Sequence, residues 1–233
     1  MNGPEWQYDE FACAGIDYAS REEVAAYDAM HRTFRDYAAA TAQIVARLGL
    51  GRESTVIDLG SGTGAFTLHA APVCRHIHAV DISRAMLDYC RAQADGAGLT
   101  NISYHHAGLL TYEHAGEPAD AAVCVAALHH LPDFWKQRAL QRVAGMLRPG
   151  GKFFLFDIVF PAAAADLDAQ IGQWLAGIGR MANARLAGEA LVHVRDEHST
   201  YDWVMEGMLA RAGFTLAAKE YAPGFQTTYL GII

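Results

Sequence analysis

Cysteine is scarce and scattered in this 233-residue chain. Cys13, Cys74, Cys90 and Cys124 form no CxxC pair and no metal-type spacing, which excludes a disulfide framework and a zinc ribbon. Cys90 and Cys124 stand within apolar helix and strand patterns, so reduced, packed thiols are expected. Basic charge is also short: 18 Lys and Arg stand against 26 Asp and Glu, a net −8, with no Lys/Arg-rich run. A grip on phosphate backbones takes a clustered basic surface, so nucleic acid is not expected as a partner. No apolar run reaches membrane-spanning length, since Asp157 interrupts the most apolar strand and Arg180 the later helical stretch. The first twenty residues carry Glu5, Asp9, Glu10 and Asp17 and no apolar block, so they do not read as a secretory signal. A soluble, cytoplasmic protein is expected. Internal repeats and low-complexity tracts are lacking too.

What is present is an ordinary globular composition, 52% hydrophobic and 19% charged, at a length that suits one domain with elaborations. Residues 21–48 place Val24, Tyr27, Phe34, Tyr37, Ile44, Val45 and Leu48 at helical spacing and stop at Gly49, which predicts two helices ahead of the core. From Thr55 the pattern changes. Apolar runs of strand length at 55–59, 76–81, 101–105, 120–126 and 152–158 alternate with helical segments at 64–72, 84–95 and 134–147. That alternation predicts an α/β fold with a mostly parallel sheet and helices on both faces. Leu147-Arg148-Pro149-Gly150-Gly151 reads as a turn between helix and fifth strand.

Residues 162–195 are Ala-rich and helical in pattern, and they break the alternation before a helix at about 199–212. An inserted cap over 162–197 is therefore expected, with a helical lid over 1–50. Phe214 to Glu220 and Phe225 to Ile233 read as two strands joined across Ala222-Pro223-Gly224, an antiparallel hairpin.

The chemistry is concentrated in Val56-Ile57-Asp58-Leu59-Gly60-Ser61-Gly62-Thr63-Gly64, a buried strand running into a glycine-rich turn. Glycines there let the backbone approach a ligand, and the helix that follows presents unpaired N–H groups. Gly60 to Ala65 also satisfies the looser dinucleotide fingerprint. Asp81 closes the second strand 21 positions after Gly60, where a carboxylate can accept hydrogen bonds from both ribose hydroxyls; a helix cap for 84–95 is its alternative role. These features leave two cofactor classes open.

With the hairpin and the Asp-Ile-Ser after strand two, the chain resembles the class I S-adenosylmethionine-dependent methyltransferases. Asp58 to Gly64 is similar to their first motif. Ala127-Leu128-His129-His130-Leu131 and Leu147-Arg148-Pro149-Gly150-Gly151-Lys152 are similar to the downstream half of small-molecule members such as quinone-pathway enzymes. The resemblance runs from about Val56 to Phe160 and more loosely through the hairpin. It implies a Rossmann-like seven-stranded sheet and methyl transfer from S-adenosyl-L-methionine to a small-molecule acceptor. Gly60 and Gly62 would then lie against the amino acid end of the cofactor, Asp81 would hold the ribose, Ile82 and Met86 would flank the adenine, and Leu109 would cover its other face. Asp58, Gly64, Gly108 and Ala126 complete the expected cofactor set. Many members have an acidic residue after the third strand for the adenine amino group, and Gly108 stands in the matching place here.

His129 and His130 follow the fourth strand where open α/β sheets place ligands, and with Asp157 at the end of strand five they are the candidate proton acceptors. A packing or helix-entry role is equally open for the two histidines. Arg195, Asp196, Glu197 and His198 could face the same cavity, with Asp196 alternatively a helix cap. His105, His106 and His114 alternate along a strand without a completing carboxylate, so no metal site is expected. Trp6, Tyr8, Phe11 and Tyr18 either fold over the pocket or pack against the core. A monomer or homodimer is expected; a nicotinamide-dependent oxidoreductase and a non-catalytic S-adenosylmethionine-binding protein are the competing readings.

Overall fold

The computed structural model describes residues 5–12, 20–33, 35–161, 163, 166–181 and 184–233. Cys13, Tyr18 and Phe34, singled out above, lie outside the described residues. Two helices precede the sheet as the spacing predicts. α1 (Arg21–His31) starts where Ser20 Oγ accepts the Glu23 N–H at 3.1 Å, and α2 (Tyr37–Leu48) where Asp36 Oδ1 accepts the Ala39 N–H at 2.9 Å. α2 ends on Gly49 at φ +68°, a left-handed position that costs glycine little.

The core alternates as expected: β1 (Thr55–Leu59), α3 (Thr67–Ala70), β2 (His76–Asp81), α4 (Arg84–Gly96), β3 (Ile102–His106), β4 (Ala119–Val125), α5 (Asp133–Met146) and β5 (Leu147–Phe160). α3 is shorter than the predicted 64–72. Gly64 sits at φ +90° in a turn closed by its N–H to the Ser61 carbonyl, so helical dihedrals start only beyond it. β5 begins earlier than predicted. The Arg148 to Gly151 turn is present, but it loops out inside the strand, the register jumping from Ala119↔Leu147 to Ala121↔Lys152.

α6 (Leu167–Met181) and α7 (Ala184–Asp196) fill the expected insertion, followed by a two-residue strand β6 (Thr200–Tyr201), α8 (Asp202–Arg211), β7 (Thr215–Ala222) and β8 (Gln226–Ile232). The sheet runs β3-β2-β1-β4-β5-β8-β7, with β6 pairing the end of β5 off that path. β1 to β5 are parallel, and β8 is antiparallel to both β5 and β7. β6 is an addition to the seven strands expected; two residues are too short to leave an apolar run.

Helices cover both faces because successive strand residues point to opposite sides. Ile57, Leu59, Ala122, Cys124, Phe153 and Leu155 enter a core with α5 and α8, while Val56, Ala121, Val123 and Phe154 enter a second with α2 and α3. Burying side chains on both faces accounts for the continuous apolar runs; each fully buried Val, Leu or Ile contributes about 1.5–3 kcal/mol. Cys74, Cys90 and Cys124 are buried free thiols, in line with the sequence reading. Among the described residues no helix is long and apolar enough to cross a membrane.

Candidate active site

The chain runs outward from β1 to β3, then crosses back to place β4 on β1's other side. A crevice therefore opens at the carboxyl ends of β1 and β4, where such sheets hold ligands. Gly60 and Ser61 both donate to the Val80 carbonyl, at 2.9 and 3.0 Å, which folds the glycine loop toward β2. Gly60 has φ +72°, and a Cβ there would meet Ala127 Cβ at 2.4 Å, so the loop lies directly against the segment after β4. Gly64 is wedged between Cys90 and Leu68. Gly62 differs: at φ +52° its missing side chain would point into open space.

Asp81 binds this loop. Its Oδ2 accepts the Gly62 N–H at 2.8 Å and its Oδ1 the Ser83 N–H at 2.8 Å. Burial holds its carboxyl above the usual range against the lowering effect of those donors. The cap of α4 is Ser83, which accepts from Met86 N, so Asp81 orders the turn and is not the helix cap. Each Asp81 oxygen keeps a lone pair for a further donor.

Asp58 turns away from the crevice, accepting from Thr67 Oγ1 at 2.6 Å; burial, with the charge of Asp81, pushes its carboxyl up to about 7. Met86 and Leu109 are buried and Ile82 is half-buried. His106 Nε2 lies 2.8 Å from the Ile82 carbonyl, which fixes the strand-two turn. Ala126 sits at φ +52°, strained for a residue with a side chain, with its N–H on the Phe156 carbonyl at 2.7 Å.

The residue after β3 holds a surprise. The carboxylate missing at position 108 is brought by Glu10, which accepts from Leu110 N at 2.9 Å and Thr111 Oγ1 at 2.7 Å. Burial raises its carboxyl above the usual range against those donors and Arg142. Trp6 stacks on Trp135 of α5 at 6.1 Å and Phe11 meets His106 edge-on at 5.3 Å, so residues 5–12 are laid across this side of the crevice. Asp28 of α1 reaches the glycine loop by accepting from Thr63 Oγ1 at 2.8 Å.

The candidate proton acceptors come together at the ends of β4 and β5. His129 Nδ1 lies 2.5 Å from Asp157 Oδ1, and Asp157 Oδ2 accepts the His129 backbone N–H at 3.0 Å. Burial alone would lower the His129 imidazole, but the charge and hydrogen bond of Asp157, with Glu197, carry it above its ordinary value; the same contact holds Asp157 low against its own burial. His129 Nε2 faces Glu197 Oε2 at 3.4 Å, and His130 Nδ1 stands 4.0 Å from Glu197 Oε1. Burial, then the neighbouring His129, pushes His130 down to about 4. His193 Nδ1 pairs with Glu197 Oε2, and its Nε2 lies 2.7 Å from Ser199 Oγ.

Of the four residues read as candidates to face this cavity, Glu197 joins the cluster with its side chain. His198 joins through its backbone, donating to the His129 carbonyl at 2.9 Å. Arg195 and Asp196 pair with each other at the surface, so Asp196 caps no helix. Glu10, Asp28 and His193 were not in the expected set. The contacts of Glu10 and Asp28 span long stretches of chain, while His193 reaches Glu197 four residues further on.

The site residues fit the cofactor that the glycine loop implies. Gly62 leaves room, Asp81 keeps acceptor capacity, and the Ser61 hydroxyl is buried without a hydrogen-bond partner among the described residues. A parallel dinucleotide sheet has no counterpart of the reversed β8.

Comparison with known proteins agrees. The family described as methyltransferase domain matches residues 56–151. An uncharacterised methyltransferase of Mycobacterium tuberculosis is 36% identical over 107 residues, 46% of this chain and 52% of that protein. A ubiquinone biosynthesis O-methyltransferase of Coxiella burnetii is 29% identical over 103 residues, 44% of this chain and 43% of that one. The chain thus spans about half the length of the curated relatives it matches. The crystal structure of the N-methyltransferase NodS from Bradyrhizobium japonicum, in complex with S-adenosyl-L-homocysteine, superposes with a TM-score of 0.63 at 18% identity, covering 91% of this chain and 94% of that one. In its strand order, its glycine loop with Asp81 and the methyltransferase-domain match over residues 56–151, the chain is similar to the S-adenosylmethionine-dependent methyltransferases.

Proposed function

We propose that this protein methylates a small organic acceptor bound between the glycine loop and the His129–Glu197 cluster. The observation that carries this reading is adjacency. Gly60 rests on Ala127, and two residues further on His129 and His130 turn into a polar cluster at the neighbouring strand end. Donor and acceptor positions therefore share one crevice. The O- and N-methyltransferases among the proteins it resembles support a small-molecule acceptor.

S-adenosylmethionine, when bound, supplies a methyl group whose bonding electron pair returns to sulfur as the acceptor's nucleophile bonds to the carbon. Gly60, Gly62 and Ser61 would hold its amino acid end and Asp81 its ribose, while Ile82 and Met86 would flank the adenine and Leu109 would cover its other face. Alignment alone can supply roughly 7–11 kcal/mol of the barrier. The acceptor's proton has a destination within the cluster: Asp157 spends both oxygens on His129 and Ile158, so it positions His129, whose Nε2 faces the cluster. α1, tied to the loop through Asp28, acts as the lid, and α6 and α7 form the cap over the acceptor.

The test is methyl transfer from isotopically labelled S-adenosylmethionine to a panel of small phenols, carboxylic acids, amines and thiols, with wild type beside Asp81→Ala. Turnover of at least one class by wild type and its loss in the variant is the expected result. Equal label transfer by both proteins would overturn the site assignment.

A further inference from the structure

The cluster at the ends of β4 and β5 holds more ligand atoms than a proton acceptor needs. His129, His130 and Glu197 each offer one atom, and the three lie within 4.8 Å of one another. We propose that these three side chains form a binding site for a divalent cation of the zinc class, placed beside the methyl acceptor. The proposal rests on the crevice reading above and replaces its proton destination. With a cation bound, His129 Nε2 is a ligand, and an acceptor group on the metal ionises by its lowered pKa, its proton passing to solvent.

The donor set suits such an ion. Two imidazoles and one carboxylate are the ligands of open, catalytic-type zinc sites, which leave a position for water or substrate. In a tetrahedral site with bonds of about 2.0–2.1 Å, neighbouring ligand atoms stand roughly 3.3 Å apart. The 3.4 Å between His129 Nε2 and Glu197 Oε2 matches that edge, and the 4.0 Å between His130 Nδ1 and Glu197 Oε1 closes with a small side-chain rotation.

The support around the ligands argues further. Asp157 takes His129 Nδ1, which leaves Nε2 as the atom turned toward Glu197, the carboxylate–histidine arrangement that orients metal-binding imidazoles. His193 Nδ1 contacts the same Glu197 oxygen, Oε2, that faces His129, and so fixes its position. The segment carrying Glu197 is pinned three times: His198 N to the His129 carbonyl, the buried Lys136 Nζ to the His198 carbonyl, and Thr200 Oγ1 to Asp133 at 3.0 Å. A cation here would favour acceptors with a hydroxyl, carboxyl or thiol group able to share its open position.

The experiment titrates the chelator-stripped full chain with Co2+, read by visible absorption, followed by competition with Zn2+. Wild type should bind one equivalent that Zn2+ displaces. His129 is buried and its removal threatens the fold, so the discriminating variants are Glu197→Gln and His130→Asn, each expected to weaken binding at least about tenfold, with Asp157→Asn weakening it roughly 10–100-fold. His105→Asn, in the separate histidine group where His78 Nδ1 lies 3.1 Å from His105 Nε2, should bind as wild type does. Absence of stoichiometric binding, or binding lost in His105→Asn and kept in Glu197→Gln, overturns the proposal. A parallel titration with S-adenosylhomocysteine keeps the two readings apart: its failure removes the methyltransferase crevice and leaves the cobalt result standing.

Discussion

Glu10 sets its carboxylate against Gly108, so closely that a β-carbon at position 108 would lie 2.3 Å from Glu10 Oε2. The glycine after β3 and the acid near the start of the described chain are complementary. A segment ahead of α1 thus places a carboxylate beside the turn that follows β3.

Removing that charge should loosen the segment. In Glu10→Ala the Leu110 N–H and Thr111 hydroxyl lose their acceptor, at a cost of about 1–3 kcal/mol if they stay buried. Limited proteolysis should cut ahead of α1 faster than in wild type, and S-adenosylhomocysteine should bind more weakly. Unchanged cleavage and affinity would show that residues 5–12 dock without Glu10.

The glycine loop offers a contrast between space and strain. Gly60→Ala drives a methyl into Ala127 and should destabilise the fold by roughly 1–3 kcal/mol. Gly62→Ala meets no atom, so denaturant unfolding should register only the left-handed backbone cost of roughly 1–2 kcal/mol. Cofactor affinity should nonetheless fall more in Gly62→Ala than its stability does, because the new methyl occupies ligand space. Full affinity in that variant would move the cofactor elsewhere.

Much of this was legible in the residues themselves. β1 and β2 fall on the expected 55–59 and 76–81 because strands buried on both faces must be apolar throughout. Glycine spacing and an acid at a strand end singled out Gly62 and Asp81 separately; the hydrogen bond between them is seen only in the structure. α3 was overestimated because Gly64 fits a helical pattern by position while its φ forbids it. Glu10 and Asp28 stayed invisible for one reason: each acts across a fold-made contact, and nothing near Gly108 or Thr63 in sequence names its partner. Glu197 was placed near the cavity, but its partnership with His193 follows from a helical turn of α7 that only the packed structure orients.

Asp58 should make stability depend on pH. Its folded pKa of about 7 lies above the ordinary carboxylate value, so the folded state holds a proton that the unfolded chain releases near pH 4. Stability from this group is therefore fully present below pH 4 and declines as pH rises through about 7, by on the order of a few kcal/mol. Asp58→Asn keeps an acceptor for Thr67 and removes the titration. Chemical denaturation at several pH values should give a flatter curve between pH 5 and 8 for the variant; parallel curves would contradict the assignment.

His129, in its pair with Asp157, contributes in the same direction. Because His129 is raised, its contribution is complete below the ordinary histidine pKa and is lost as pH climbs through the elevated one. Asp157→Asn removes the charge and should bring the His129 imidazole down, visible as a shifted midpoint in the NMR titration of its ring protons. An unmoved midpoint would mean that Glu197 alone sustains it.

Acceptor choice should reside in the cap. Trp174 of α6 meets Phe225 edge-on at 5.5 Å, and Phe225 lies 5.0 Å from Phe160 at the end of β5, so the cap is seated on the strand end beside Asp157. Trp174→Ala should change relative turnover among acceptors while cofactor affinity holds.

The central claim is that the loop from Gly60 to Gly64, with Asp81, takes S-adenosylmethionine. Its most direct test is calorimetric titration of the full chain with S-adenosylhomocysteine and, separately, with NADH. Saturable one-to-one binding of S-adenosylhomocysteine, lost in Asp81→Ala, with no heat from NADH, is the predicted result. NADH binding in place of S-adenosylhomocysteine would contradict it.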